Sequence, residues 1–246
     1  MTIKIVTEPA AEPLSIFEVK DHLRLDHDEH TEDDWISANI SGARQDCEGF
    51  QNRAYITQTW ELWLDGWPDG NKIEIPLPPL QVPVVTAGSF VTGTTYRILS
   101  VGSTDFTEVG ASASTVGIIF TATGAGTGTG TATASVIIKY YGTDDTEATF
   151  SPTYYFVDTK SEPGRVALNS GQSWPGTSLR PANGICVTYI AGYGDDGYDV
   201  PENIRRAILL LIGHLYENRE TVLTTGMNVA ELPLGTEALL WKDRIL

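Results

Sequence analysis

Positive charge is scarce in this chain. Of its 246 residues 16 are Lys or Arg against 32 Asp or Glu, for a formal charge of -16. That balance excludes a tight grip on a phosphate backbone, where affinity rests on Lys and Arg displacing counterions, but it permits a surface past which DNA slides. Cysteine is scarcer still: Cys47 and Cys186 form no CxxC pair, which argues against a zinc site or a disulfide framework and leaves two buried thiols. No apolar run approaches the ~20 residues that span a bilayer. Residues 1–6 lack the basic-then-apolar plan of a signal peptide, so the expectation is cytoplasmic synthesis and no membrane.

Catalytic patterns are thin as well. Ser173-Trp174-Pro175-Gly176 lacks the Gly-x-Ser-x-Gly arrangement, so it builds no nucleophile elbow. His22, His27 and His30 with Asp26, Asp28 and Glu29 offer metal-ligand types, but five of these six share one short polar connection between helices. With no preformed scaffold there, a solvated acidic loop is expected and no metal. His214 lies among apolar residues of a late helix and reads as a hydrogen-bonded core or interface histidine. No cofactor and no enzyme activity are expected.

Residues 83–135 stand apart: 13 Thr and 9 Gly with only Arg97, Asp105 and Glu108 charged. By contrast, residues 1–82 alone carry -10 of the net charge. Removing the stretch joins Pro79-Leu80-Gln81-Val82 to Val136-Ile137-Ile138-Lys139-Tyr140-Tyr141-Gly142, which reads as one strand ending at a turn. The domain reading is therefore a split host, 1–82 and 136–246, carrying an insertion at 83–135. Tyr96, Ile98, Phe106, Val116, Ile119 and Phe120 give the insertion an apolar set suited to a β module. A flexible Gly/Thr linker at Gly124–Gly130 is the alternative. The Gly-x-Gly-x-Gly there has no following Lys and no following helix, as a phosphate cradle requires.

The host reads as α+β: N-terminal helices, a small antiparallel β unit, a long C-terminal helix and an extended tail. Ser15-Ile16-Phe17-Glu18 has capping-box spacing and opens a short helix. Thr31 is placed to cap a second helix running to about Arg53, with Trp35, Ile36, Ile40, Ala43, Cys47 and Phe50 at three- and four-residue steps. Ile56 to Asp65 alternates as a strand with Lys72 to Ile75 as its partner. Further strands are expected at Ile137–Tyr141, Tyr154–Val157, Arg165–Leu168 and Ile185–Ile190. Inside the insertion they are expected at Thr95–Val101, Phe106–Val109, Val116–Ala122 and Thr131–Ile138.

Pro201 suits the start of the last helix, which is expected to run to about Glu220. It is apolar over more than one face, and a neighbouring subunit is an economical cover for the second. The expected subunit contact is Ile204, Ile208, Leu211, Leu215, Tyr216 and Arg219. Beyond it, Leu232, Pro233, Leu234, Leu239, Leu240, Trp241 and Arg244 form a tail that must fold back on its own domain or dock in a partner.

These segments, in order, carry a resemblance. Glu12-Pro13-Leu14-Ser15 with Val19-Lys20 and Leu23-Arg24 comes first, then Glu48-Gly49-Phe50 with Arg53, and Ile56-Thr57-Gln58-Thr59-Trp60. Ile75-Pro76-Leu77-Pro78-Pro79-Leu80 and Pro201 with Ile204 and Ala207-Ile208-Leu209 follow, then Tyr216 with Arg219-Glu220, and Glu231-Leu232-Pro233 with Leu239-Leu240 to Arg244. Together they resemble the head-to-tail connector proteins of tailed bacteriophages. The resemblance implies a structural adaptor of the virion neck: a homo-oligomeric, dodecameric ring under the portal protein that extends the DNA channel and meets a tail-side neck or stopper protein. It also implies that the C-terminal segment from Glu231 through Leu246 reaches toward the portal and docks there, and that DNA passes through the lumen without sequence-specific binding. The insertion is similar to Thr/Gly-rich β modules of phage structural proteins, with Ala87–Tyr96 and Gly124–Ala132 as the recurring edges. A particle protein whose β module binds carbohydrate or another surface is the alternative.

Overall fold

The computed structural model describes residues 1–134, 136–218 and 233–245. The fold is α+β. Along the chain lie β1 (Thr2–Thr7), α1 (Ile16–Leu23), α2 (Asp33–Gln51), β2 (Gln58–Leu64), β3 (Lys72–Ile75), β4 (Leu80–Gln81), β5 (Val84–Thr86), β6 (Thr95–Ser100), β7 (Ile119–Thr121), β8 (Thr131–Ala134), β9 (Ile137–Tyr141) and β10 (Glu147–Phe150). After these come β11 (Tyr155–Asp158), β12 (Gly164–Leu168), β13 (Ile185–Ala191), α3 (Glu202–Glu217) and α4 (Leu234–Leu240). Two compact units result. One comprises Met1–Val6, Thr59–Ile75 and Leu80–Ile190; the other comprises Thr7–Gln58, Pro76–Pro79 and Ala191–Leu246.

The second unit is helical. α1 starts as its sequence dictates: the Glu18 amide donates to Ser15 Oγ at 3.2 Å, and the Ser15 amide donates to Glu18 Oε2 at 2.8 Å. α2 starts differently from expectation. Its cap is Glu32, whose side chain makes no capping bond to the helix, and the Thr31 amide and hydroxyl both turn to Glu29 Oε1. Asp33 and Asp34 still fill the first turn, where carboxylates meet the positive end of the dipole. The apolar stripes of α1, α2 and α3 meet in one core that includes Val19, Ile36, Ile40, Cys47, Ile204 and Ile208, all at most 2% exposed.

The first unit holds three sheets. A six-stranded sheet runs β1-β2-β13-β9-β10, with β4 also pairing β13. Since β4 and β9 both pair with β13, the chain leaves that strand before the Thr/Gly-rich stretch and returns to it afterwards. β3 exists but does not pair with β2. It joins β12 instead, in the sheet β11-β12-β3, with Ile73 opposite Val166.

Residues 84–134 form the sheet β5-β8-β6-β7, folded around Phe90, Tyr96, Ile98, Phe106, Phe120 and Ala132. Phe106–Val109 is a 3-10 turn and not a strand. Asp105 accepts from the Thr107 amide at its start, and Gly110 closes it at φ 102. Val116–Ala122 contracts to β7, and Thr131–Ile138 divides into β8 and β9. Gly124–Gly130 is packed against the module: Gly126 lies against the Phe90 ring, and a Cβ at Gly130 would sit 2.5 Å from the Val101 carbonyl. That packing favours the folded module over a flexible linker. β1, β5 and β10 are strands that sequence reasoning missed.

Candidate functional site

α3 is the element on which the assembly expectation rested. Ile204, Ala207, Ile208 and Leu211 are at most 4% exposed and belong to the chain's own core. The expectation that Ile204, Ile208 and Leu211 face a neighbouring subunit is thus corrected: α1, α2 and α4 of the same chain already cover them. Leu215 is partly buried against the same core. Tyr216 donates to Glu32 Oε2 at 2.6 Å and packs edge-on to Trp35 at 5.5 Å. Arg219 and Leu232 lie outside the described residues.

The tail folds back. α4 starts after Pro233 and sends Leu240, fully buried, into the helical core, with Leu239 partly buried beside it. Its backbone is tied to the end of α2. Gln51 Nε2 donates to the Leu240 carbonyl at 2.6 Å, Asn52 Nδ2 donates to the Ile245 carbonyl at 2.8 Å, and the Ile245 amide donates to the Gln51 carbonyl at 3.0 Å. Arg53 Nε also reaches the Asp243 carbonyl. The Arg244 guanidinium lies 4.6 Å from the Phe50 ring and 5.3 Å from Trp241, which is 57% exposed.

What remains open on these helices is a small apolar patch. Leu210 is 42% exposed and Leu234 is 84% exposed, and Leu210 Cδ1 is in contact range of Gly235. The sequence signal was present, since Leu210 falls off the main α3 stripe.

Buried charge stiffens the helical unit. Arg44 donates to Glu12 at 2.8 Å and to Glu48 at 2.7 Å. Glu48 Oε1 also accepts from the Tyr55 amide and Gln58 Nε2, each at 2.7 Å, while burial pushes its carboxyl above the ordinary range. Arg205 donates to the Pro13 carbonyl at 3.1 Å, pairs with Glu202 and Glu18, and covers the Tyr198 ring at 4.5 Å. Open clefts of about 380 and 290 Å³ flank it; each of its donors is directed at the protein itself.

The polar connection after α1 is organised around Lys20, 1% exposed, which pairs with Asp33 at 2.6 Å and donates to the His27 carbonyl. Asp33 is held below the ordinary carboxylate range by the hydrogen bond from Lys20, aided by His30. His27 engages Asp21 and His30 engages Asp33, so the two histidines point to different carboxylates. Among the described residues no group of three or more His, Cys, Asp and Glu is placed to hold a metal ion, and no helix is long and apolar enough to cross a membrane. His214 is half-buried near Asn218. Cys47 and Cys186 are free and buried. Burial pushes the Cys47 thiol up to about 12 and that of Cys186 to about 11. Neither is suited to act as a nucleophile near neutral pH.

No protein-family model matches this chain, and no curated protein does. Solved structures do. The chain is similar to one in the neck of an empty gene transfer agent (GTA) particle computed with C6 symmetry, at a TM-score of 0.64 and 18% identity over 100% of this chain and 96% of that one. A chain in the virion of the native gene transfer agent particle matches at a TM-score of 0.63 with the same identity and coverage. A chain in the neck of the native particle computed with C12 symmetry matches at 0.61. At 18% identity, the shared property is the fold.

Proposed function

We propose that this chain is a structural adaptor of a phage-like particle neck: a ring beneath the portal protein that extends the DNA channel and joins the filled head to a tail-side neck or stopper protein. The observation that carries this reading is the end-to-end likeness to chains from particle necks and a virion, two of them computed with ring symmetry. Among the described residues, the buried cations Lys20, Arg44 and Arg205 are engaged in structural pairs, and both cysteine thiols are buried. That supports a role exercised through surfaces.

Residues 83–135 read as an inserted module within this adaptor, since β4 and β9 return to the same strand and β5–β8 carry their own core. The acidic excess of the chain suits a lumen that does not retain DNA. For subunit contact the proposal moves outward from the buried stripe to the patch at Leu210 and Leu234. Portal docking is assigned to the tail, whose outward-facing groups are Leu234 and Trp241. Electron microscopy of the purified protein, alone and with portal rings, tests the reading. Rings that stack coaxially on the portal are expected, and a protein that stays monomeric and ignores the portal would overturn it. Deleting 83–135 is expected to leave rings intact.

A further inference from the structure

We infer that the outer edges of β1 and β10 are the two halves of a head-to-tail contact between copies of this chain, so that the six-stranded sheet of one copy continues into that of the next. This rests on the ring reading above. β1 ends the strand order on one side and β10 on the other. An outer strand presents a row of unpaired amides and carbonyls, which natural proteins cover or blunt.

β1 carries a single such device, Lys4. It contains no proline, its residues are rich in β-branched types, and none of them is fully buried; Ile3 is 38% exposed and Val6 53%. Such a strand is a template for pairing. Two different patches on one chain give a heterologous contact, the type that closes into a ring when the rotation allows, whereas β1 on β1 would stop at a dimer.

Charge agrees with this pairing. Lys4 on β1 has no ion-pair partner among the described residues. Across the sheet, Glu147 is matched by Lys139 and Asp145 by Arg180, which leaves Asp144 in the β9–β10 turn as an anion without a cation. One edge thus offers a spare positive charge and the other a spare negative one, which favours the head-to-tail register over like-edge pairing.

The test uses the full chain with Ile3→Cys and Thr149→Cys, two exposed positions, and a short bis-maleimide whose reach tolerates a shift in register; Cys47 and Cys186 are buried and silent. The double variant is expected to give a covalent ladder up to the ring, mixed single variants only dimers, and each single variant alone nothing. Deleting residues 1–7 is expected to abolish rings in native mass spectrometry while near-UV circular dichroism stays unchanged. Lys4→Glu is expected to move assembly to higher protein concentration. Rings that form without a ladder and survive the deletion would overturn this contact and leave the adaptor reading standing. Cross-linking by Ile3→Cys alone would overturn it in favour of a two-fold dimer. A ladder from open filaments would keep the contact and remove the ring, and a monomer with no ladder would remove both.

Discussion

The helical unit and the four-stranded sheet of residues 84–134 each build a dry interior, with opposite chemistry. Around α2 and α3 the core is aliphatic, and its margin holds buried cations: Lys20, Arg44 and Arg205 are 1%, 3% and 8% exposed, each held by carboxylates. In the sheet the core centres on four rings, Phe90, Tyr96, Phe106 and Phe120, tilted or edge-on to one another with centroids 5.1 to 5.9 Å apart. Neutral hydroxyls pair across its strands, Thr95 with Thr121 at 3.1 Å and Ser100 with Thr131 at 2.8 Å, and its Asp105 carboxylate is held by hydroxyls and an amide without a cation. One region depends on shape, the other on shape and on paired charge.

The sharpest way to break this contrast is Phe106→Ala, which removes a fully buried ring and is expected to cost about 3–5 kcal/mol. Hydrogen exchange should show the loss confined to residues 84–134; a uniform loss would mean the sheet has no stability of its own. Arg44→Ala is expected to cost about 3 kcal/mol, because Glu48 is left buried without its cation. The double variant Arg44→Met with Glu48→Gln should recover part of that loss in chemical denaturation, a rescue with no counterpart in the sheet.

Caps give a smaller, matched pair. Ser15→Ala removes the capping box of α1 and is expected to cost about 1 kcal/mol; Asp105→Ala removes the cap of the 3-10 turn, and the two are read as separate local losses of amide protection. Acid gives the finest probe. Asp105 lies below its ordinary 3.8 because the Thr107 hydroxyl, the Thr107 amide and Ser114 all donate to it. The stabilisation is therefore complete above 3.8 and is lost as pH falls through the lower folded value. Protection of the 3-10 turn should fade as pH falls below 3.8 in the wild type and stay flat in Asp105→Asn.

Local signals proved legible and distant ones did not. The capping box at Ser15 and Glu18 and the start of α3 at Pro201 are written within four residues, and the composition of 83–135 announced a separate sheet. The partner of β3 is not written locally: Ile73 meets Val166 across more than ninety residues of chain, and the adjacent β2 was the nearer guess. Leu239, Leu240 and Trp241 marked a sticky tail, but only the fold shows that the end of α2 receives it. That docking explains the error over α3, because an apolar stripe looks the same from sequence whether its cover comes from the same chain or from another. β1 escaped notice for the opposite reason, since none of its residues is fully buried.

β5 and β8, the first and last strands of the 84–134 sheet, are antiparallel neighbours, with Val84 opposite Thr133. Residues so paired sit about 4.5–5.5 Å apart, so the chain enters and leaves this sheet through what amounts to a two-pronged socket. A socket of that width is indifferent to the size of what is plugged into it. Another folded unit whose ends lie side by side should be exchangeable for residues 84–134, which makes this position a natural place to mount a different module.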